Sequence, residues 1–379
     1  MGVILSFAAG YNRRMTPRAL KTLLILIWSG VLLAAAAVIG LYFFQIRPGE
    51  TPSPVSPPPL PTAAFSPVPT LRATASPTAL PVSQETPSPS PSPSPSPFPA
   101  ALNPLTGLLV SDISRLERNP LSVKITNFPR GVRGYQFGTT RADVVYEYYI
   151  EDGLTRFIAV FYGQDAERAG PVRSGRYFDE HVARMYQAYL VFVNADERVE
   201  AHFLGQADFL PFLFLPREDN CPPLCRNNSI KDYNNFFVDT AGVTAYQAKT
   251  GHKTERVPLR FSLFDPNPPD APLEVSRISL RYSQYSYHRW TYDPLTHRYW
   301  RESDAKDAPA VSSEVYTPHM DWLTQEQISA ANVVVLIVPH NFNNDYDRAD
   351  QVFNISLQDS GRAYIFREGK AQVGYWVRD

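Results

Sequence analysis

The segment ADVVYEYYIEDGLTRFIAVFYG, residues 142–163, carries two runs of β-branched and aromatic residues on either side of Asp152-Gly153. Such runs read as strands, and Asp-Gly between them reads as the two-residue turn of a β-hairpin. In that register Glu151 faces Leu154 and Tyr149 faces Arg156. Side-chain alternation then predicts Glu147, Tyr149, Glu151 and Arg156 on one face of the sheet. Val144, Tyr146, Tyr148 and Ile150 take the other. A slip of one residue would undo this grouping.

Upstream, PLSVKITNF (120–128) predicts a strand with Leu121, Val123 and Ile125 on one face. Downstream, AGPVRSGRYFDEH (169–181) leads into a helix across residues 174–189, with Ser174 as its cap and Tyr177, Val182, Met185 and Tyr189 as an apolar stripe. LVFVNA (190–195) follows as a buried strand. A glycine-proline turn feeding a helix exposes backbone N–H groups, and Arg173 and Arg176 add guanidinium groups. These features nominate an anion or glycan site made of Arg173, Ser174, Arg176, Glu147, Glu151 and Arg156. The same arginines have a structural reading, pairing with Glu147, Glu151 or Asp179 to fix strand to helix. Glu147 and Glu151 also suggest the carboxylate pair of a glycosidase. That chemistry needs a separation of about 5 to 9.5 Å, whereas strand positions four apart lie ~13 Å apart.

The second half reads as mostly β: RISLRYS, SYHRWTYDPLTHRYWRE, NVVVLIVPH, QVFNISLQ and GRAYIFREGKAQVGYWV, with DPLT and REGK as hairpin turns. MDWLTQEQISAA (320–331) reads as a short helix or turn capped by Thr324. The fold class is therefore α+β, with a mixed α/β N-terminal subdomain and a mainly β C-terminal subdomain. About 278 residues exceed what most single cores hold, so the reading divides them into 102–262 and 275–379, with the break in LFDPNPPDAPLE (263–274).

Residues 22–44, TLLILIWSGVLLAAAAVIGLYFF, are uncharged and long enough for one transmembrane helix. Arg13, Arg14, Arg18 and Lys21 precede them, which puts residues 1–21 in the cytoplasm and the rest outside. Of 36 prolines, 18 fall between Pro48 and Pro99, so residues 45–101 read as a disordered Pro/Ser-rich linker with too few apolar side chains to order. The expected location is the cell membrane, single-pass, with the C-terminal domain extracytoplasmic.

Formal net charge is −1, which argues against a nucleic-acid partner. Cys221 and Cys225 lack the further ligands a zinc site needs; a local disulfide or two free thiols remain as readings. The seven histidines form no metal-ligand pattern, and no Walker loop, GxGxxG or GxSxG occurs. No cofactor and no metal are expected. RYSQYSYHRW (281–290) reads either as a surface for sugar rings or as an ordinary aromatic strand.

Several segments together resemble the DUF3048 domain family, the YerB-like bacterial envelope lipoproteins. They are NPLTGL (103–108), NPLSVKITN (119–127), the 142–161 hairpin, GPVRSGR (170–176), YDPLTHRYWR (292–301), NVVVLIV (332–338) and GRAYIFREGKAQVGYWVRD (361–379). The resemblance implies two subdomains outside the membrane and no established reaction. Family members are typically tethered by a lipidated cysteine, whereas this chain has an apolar segment instead. The family's Pro-His-Asn segment is replaced by CRNNSIKDYNN (225–235). Its C-terminal domain usually continues past the tryptophan hairpin, so the resemblance implies a domain cut short at Asp379. The expected function is a membrane-anchored envelope protein that binds a cell-wall polymer or an envelope protein; the alternative is an extracytoplasmic hydrolase acting on glycan or peptide.

Overall fold

A computed structural model describes residues 99–252, 254–259, 264–265, 267, 270, 273–342 and 352–378. The segment 22–44, nearly all of 45–101 and half of the 263–274 break lie outside them. Among the described residues no helix is long and apolar enough to cross a membrane.

The N-terminal region is mixed α/β. Its sheet contains β1 (Leu121–Thr126), β2 (Val144–Tyr149), β3 (Thr155–Phe161), β4 (Tyr189–Val191) and β5 (Leu213–Phe214), in the order β2-β3-β1-β4-β5. β3 runs antiparallel to β1 and β2, and β4 runs parallel to β1 and β5. Leu121, Val123 and Ile125 share one face and a core with Phe157, Ala159 and Phe161. That core continues into the hairpin β6 (Leu224–Arg226) and β7 (Phe236–Val238), closed by a Cys221–Cys225 disulfide. The opposite face packs on helix α1 (Tyr177–Tyr186) and α2 (Glu197–Leu204) through Ile158, Val160, Val182 and Phe203. Both faces are covered, so all six residues of β1 are buried. A third helix, α3 (Thr240–Lys249), sends Val243 into the first core.

The C-terminal region is mostly β. After the short β8 (Leu273–Glu274), one sheet joins β9 (Arg277–Arg281), β10 (Tyr287–Asp293), β11 (Arg298–Asp304) and β12 (Tyr316–Pro318). Met320–Asp321 (β13) and Glu326–Gln327 (β14) form a small hairpin, and Ser329–Ala330 (β15) pairs with β11. A second sheet orders β16 (Asn332–Leu336), β19 (Ser360–Arg367), β20 (Lys370–Val377) and β8; His340–Phe342 (β17) pairs with Phe353–Ile355 (β18). The α+β class holds.

Two local expectations change, and a third is decided between its alternatives. The first hairpin closes through three residues, because Asp152 (φ 58°) and Gly153 (φ 74°) both take left-handed backbone inside the turn. Ile150 N donates to Leu154 O at 2.8 Å, and pairing is Tyr149 with Thr155, Tyr148 with Arg156, Glu147 with Phe157. The register is one residue away from the expected one, so Arg156 joins the Tyr148 face and leaves Glu147 behind. Helix α1 is capped at Arg176, not Ser174: Asp179 Oδ2 accepts from Arg176 N at 2.8 Å. Of the helix and turn readings for residues 320–331, the turn between short strands is the one formed, with the Asp321 carboxylate accepting from Gly138 N (2.9 Å), Thr140 N (2.7 Å) and Leu323 N (2.8 Å).

A polar seam joins the two regions. Arg130 donates to Asp304 Oδ2 (2.5 Å) and Asp307 Oδ1 (2.7 Å), and Arg133 to Asp304 Oδ1 (2.9 Å). His319 Nε2 meets Gln136 Oε1 at 2.7 Å, and its Nδ1 meets Ser303 Oγ at 2.8 Å. Burial, and then Arg301 and Arg133, hold the His288 and His319 imidazoles well below 6.5; His288 depresses His319 further. Both stay neutral in the folded chain, while the unfolded chain takes up protons below about pH 6.5. Stability therefore falls as pH drops through that value, with a limiting slope of about 1.4 kcal/mol per pH unit per histidine. Thermal melts of the full-length chain across about pH 7 to 5 should show this loss, and His319→Gln should flatten it. An identical pH slope in the variant would refute the assignment.

Candidate functional site

Arg156 on β3, Lys124 on β1, Arg176 at the start of α1 and Arg173 just before it gather on one side of the N-terminal sheet. The register explains the first two. Lys124 lies opposite Ile158 and Arg156 lies opposite Thr126, so both point to the α1 face. Helix α1 then supplies Asp179 from its first turn, where a carboxylate also suits the helix dipole.

Lys124 and Asp179 are both fully buried. Lys124 Nζ donates to Asp179 Oδ1 at 3.0 Å and to the Tyr148 hydroxyl, which itself donates to Asp179. Burial pushes the Lys124 ammonium down to about 7; Asp179 opposes that shift, while Arg156 and Arg176 add to it. Burial, and then the Asp179 charge, raise the Tyr148 phenol well above its ordinary value, so it remains a neutral donor. An ion pair this deep persists only because every member has a partner.

Above it lies a ring of arginines. Arg176 grips Glu151 with Nε (2.9 Å) and Nη2 in a two-pronged pair. Arg156 stands 3.9 Å from the same carboxylate and donates to Ser174 O at 3.1 Å. Burial works against the Glu151 charge, but Arg176 and Arg156 prevail and hold its carboxyl below the usual range. Burial and the neighbouring Arg176 lower the Arg156 guanidinium to about 10. Arg173 differs. Its guanidinium stacks 4.4 Å from the Tyr233 ring, donates to Tyr233 O at 3.2 Å, and enters no ion pair among the described residues. The cluster thus sets Lys124, Arg156, Arg173 and Arg176 against Asp179 and Glu151, with Asp232 a further acidic neighbour of Arg173. The crevice beside it, lined by Tyr148, Glu151, Arg176, Phe178 and Ile355, has a volume of about 10 Å³, room for no more than a water molecule.

Five of the six sequence-nominated residues meet here: Glu151, Arg156, Arg173, Ser174 and Arg176. Arg173 and Arg176 do not sit together on a helix, since Arg173 precedes it and Arg176 caps it. The sixth, Glu147, is on the opposite face, in the seam. Arg301 Nη2 approaches its Oε2 to 2.8 Å as an ion pair with poor hydrogen-bond alignment, so Nη2 is left without a true acceptor. His288 Nε2 lies at 3.4 Å, and Thr155 Oγ1 donates to Oε1 at 2.7 Å. Glu147 and Glu151 share no hydrogen-bond or ion-pair partner among the described residues, and each is committed to a different face of the sheet. In RYSQYSYHRW, Tyr287 and His288 are buried, and of its aromatic residues only Tyr285 is exposed. Lys124 was the residue that sequence reasoning missed. Its place between Ser122 and Thr126 makes that face of β1 look solvent-facing; only the packing of α1 reveals otherwise.

Family models match twice. "Protein of unknown function (DUF3048) N-terminal domain" covers residues 105–253, and "Protein of unknown function (DUF3048) C-terminal domain" covers residues 278–379. A Bacillus subtilis (strain 168) protein named "Putative lipoprotein YerB" is 26% identical over 280 residues, spanning 72% of this chain and 77% of that one. The crystal structure of YerB protein from Bacillus subtilis superposes with a TM-score of 0.59 at 22% identity, over 73% of this chain and 87% of the other. That likeness carries the fold.

Truncating one partner of the buried pair strands the other's charge. Lys124→Met should lower the unfolding free energy of the full-length chain by about 3–5 kcal/mol, and adding Asp179→Asn should restore most of it. Chemical denaturation of the two single variants and the double variant measures this; additive losses would show that the pair is not coupled.

Proposed function

Since this chain belongs to the DUF3048 family, we propose that it is a membrane-anchored, extracytoplasmic envelope protein that binds an anionic cell-wall polymer through the arginine cluster at the start of α1. The carrying observation is Arg173, a cation pinned on an aromatic ring beside Arg156 and Arg176 with no carboxylate of its own. Arg156, Arg173 and Arg176 outnumber their nearest carboxylates, Glu151 and Asp232, which leaves a local positive excess on a chain whose formal net charge is −1. Such a patch attracts a repeating anion by geometry rather than by overall field. The uncharged 22–44 stretch and the Pro/Ser-rich segment after it support an anchor and a spacer. The likeness to a protein bearing a lipoprotein name supports envelope association.

A surface that reads charge through a crevice of about 10 Å³ is a binding surface and offers a substrate no enclosed volume. Recognition here rests on charge-assisted hydrogen bonds from Arg173, with Arg176 held in place by Glu151 and Arg156 by the Ser174 carbonyl.

Cosedimentation of the full-length chain with purified cell wall tests the reading. Arg173→Gln should weaken binding about tenfold, equivalent to ~1.4 kcal/mol, and Arg173→Gln with Arg176→Gln should weaken it further. Binding should also fall as salt rises. Thermal melts of both variants separate lost binding from lost folding; full retention by a folded double variant would eliminate the site.

A further inference from the structure

An open groove lies away from this cluster, against the disulfide hairpin. It holds about 550 Å³, inside the ~300–1,000 Å³ span of small-ligand sites. Its floor includes Phe237, Val238 and the Cys225 half of the disulfide, and its walls carry Arg168, Arg226, Glu167 and Asp239.

The cations are held in an unusual way. The Arg168 guanidinium lies 4.8 Å from the Phe137 ring and 4.8 Å from the Phe237 ring, and those two rings meet edge to face. The Arg226 guanidinium lies 4.2 Å from the Phe236 ring and donates to Asn235 Oδ1 at 3.0 Å. Neither arginine forms an ion pair among the described residues, although two carboxylates line the same groove. Ring stacking fixes each guanidinium plane while leaving most of its N–H groups unspent. A side chain already immobilised loses less entropy when a ligand arrives.

We propose that this groove binds a zwitterion of amino-acid or short-peptide type: the ligand carboxylate meets Arg168 and Arg226, and its ammonium meets Glu167 and Asp239. Balanced charge is the discriminating feature. A phosphate or polyphosphate would find two cations but would also face two carboxylates, a repulsion that selects against it. A molecule with one charge of each sign and an apolar middle satisfies both walls and covers the Phe237 and Val238 floor.

The inference is independent of the arginine cluster at α1. Calorimetric titration of the full-length chain with tri-alanine, N-acetyl-tri-alanine, tri-alanine amide and inorganic phosphate tests it. Tri-alanine should bind saturably, and each blocked peptide should bind at least about tenfold more weakly, the effect of losing one ~1.4 kcal/mol contact. Arg226→Gln should reduce the difference between tri-alanine and its amide, and Glu167→Gln should reduce the difference between tri-alanine and its acetylated form. Both side chains are exposed, so unchanged melting temperatures should accompany these effects. Phosphate binding as tight as tri-alanine, no saturable binding of tri-alanine, or blocked forms that bind equally would each overturn the proposal.

Discussion

Tyr149 pairs with Thr155 across the first hairpin, and that single pairing assigns every nearby charge to a face of the sheet. With it, Arg156 stands beside Tyr148 and Lys124, under α1 and its first-turn Asp179. Glu147 points the other way, to Arg301 and His288 of the C-terminal region. One residue of slip would bury Arg156 in the seam, against the existing Arg133 and Arg301 guanidinium groups. It would also leave Glu151 with one arginine fewer. The two left-handed residues in the turn, Asp152 and Gly153, are what hold the register.

Both faces of this sheet contain buried charge, and the two solutions differ. On the α1 face, Lys124, Tyr148 and Asp179 form a closed set in which one carboxylate oxygen serves two donors. Desolvation and neighbouring arginines bring the lysine close to losing its proton, so the set stays intact only while Asp179 remains opposite. On the seam face the charges belong to different regions of the chain. Asp304 receives Arg130 and Arg133, and Asp321 receives backbone N–H groups from Gly138 and Thr140. A contact built this way depends strongly on geometry, because a misdocked seam strands its charges without partners. The seam therefore contributes more to a defined arrangement of the two regions than to raw stability.

Cation placement follows the same logic at both candidate sites. Where an arginine has a carboxylate partner, as Arg176 does in Glu151, it serves as scaffold. Arg173, Arg168 and Arg226 instead rest on aromatic rings, which orient a guanidinium without neutralising it. An oriented, unneutralised guanidinium is suited to an incoming oxyanion. The high tyrosine and phenylalanine content of the chain, 21 and 22 residues, makes such mounts abundant.

Alternation and turn chemistry alone brought out the longer strands of both regions, though not the short β5, β6, β7 and β12, together with the DPLT and REGK turns and the apolar face of β1, because these depend on periods of two and on local backbone preference. They also brought Glu151, Arg156, Arg173, Ser174 and Arg176 onto one short roster of residues. Register was beyond them, since Asp-Gly serves both two-residue and three-residue turns and the difference lies in which backbone hydrogen bonds close. Lys124 was hidden for a related reason: a polar face on a strand looks wet until a helix covers it. The Arg176–Glu151 pair, the approach of Arg301 and His288 to Glu147 and the seating of Arg168 against Phe137 and Phe237 all join residues far apart in the chain. Tertiary packing alone decides them, because solvation and partner charge depend on what lies across space, whereas strand and turn tendencies depend on neighbours along the chain.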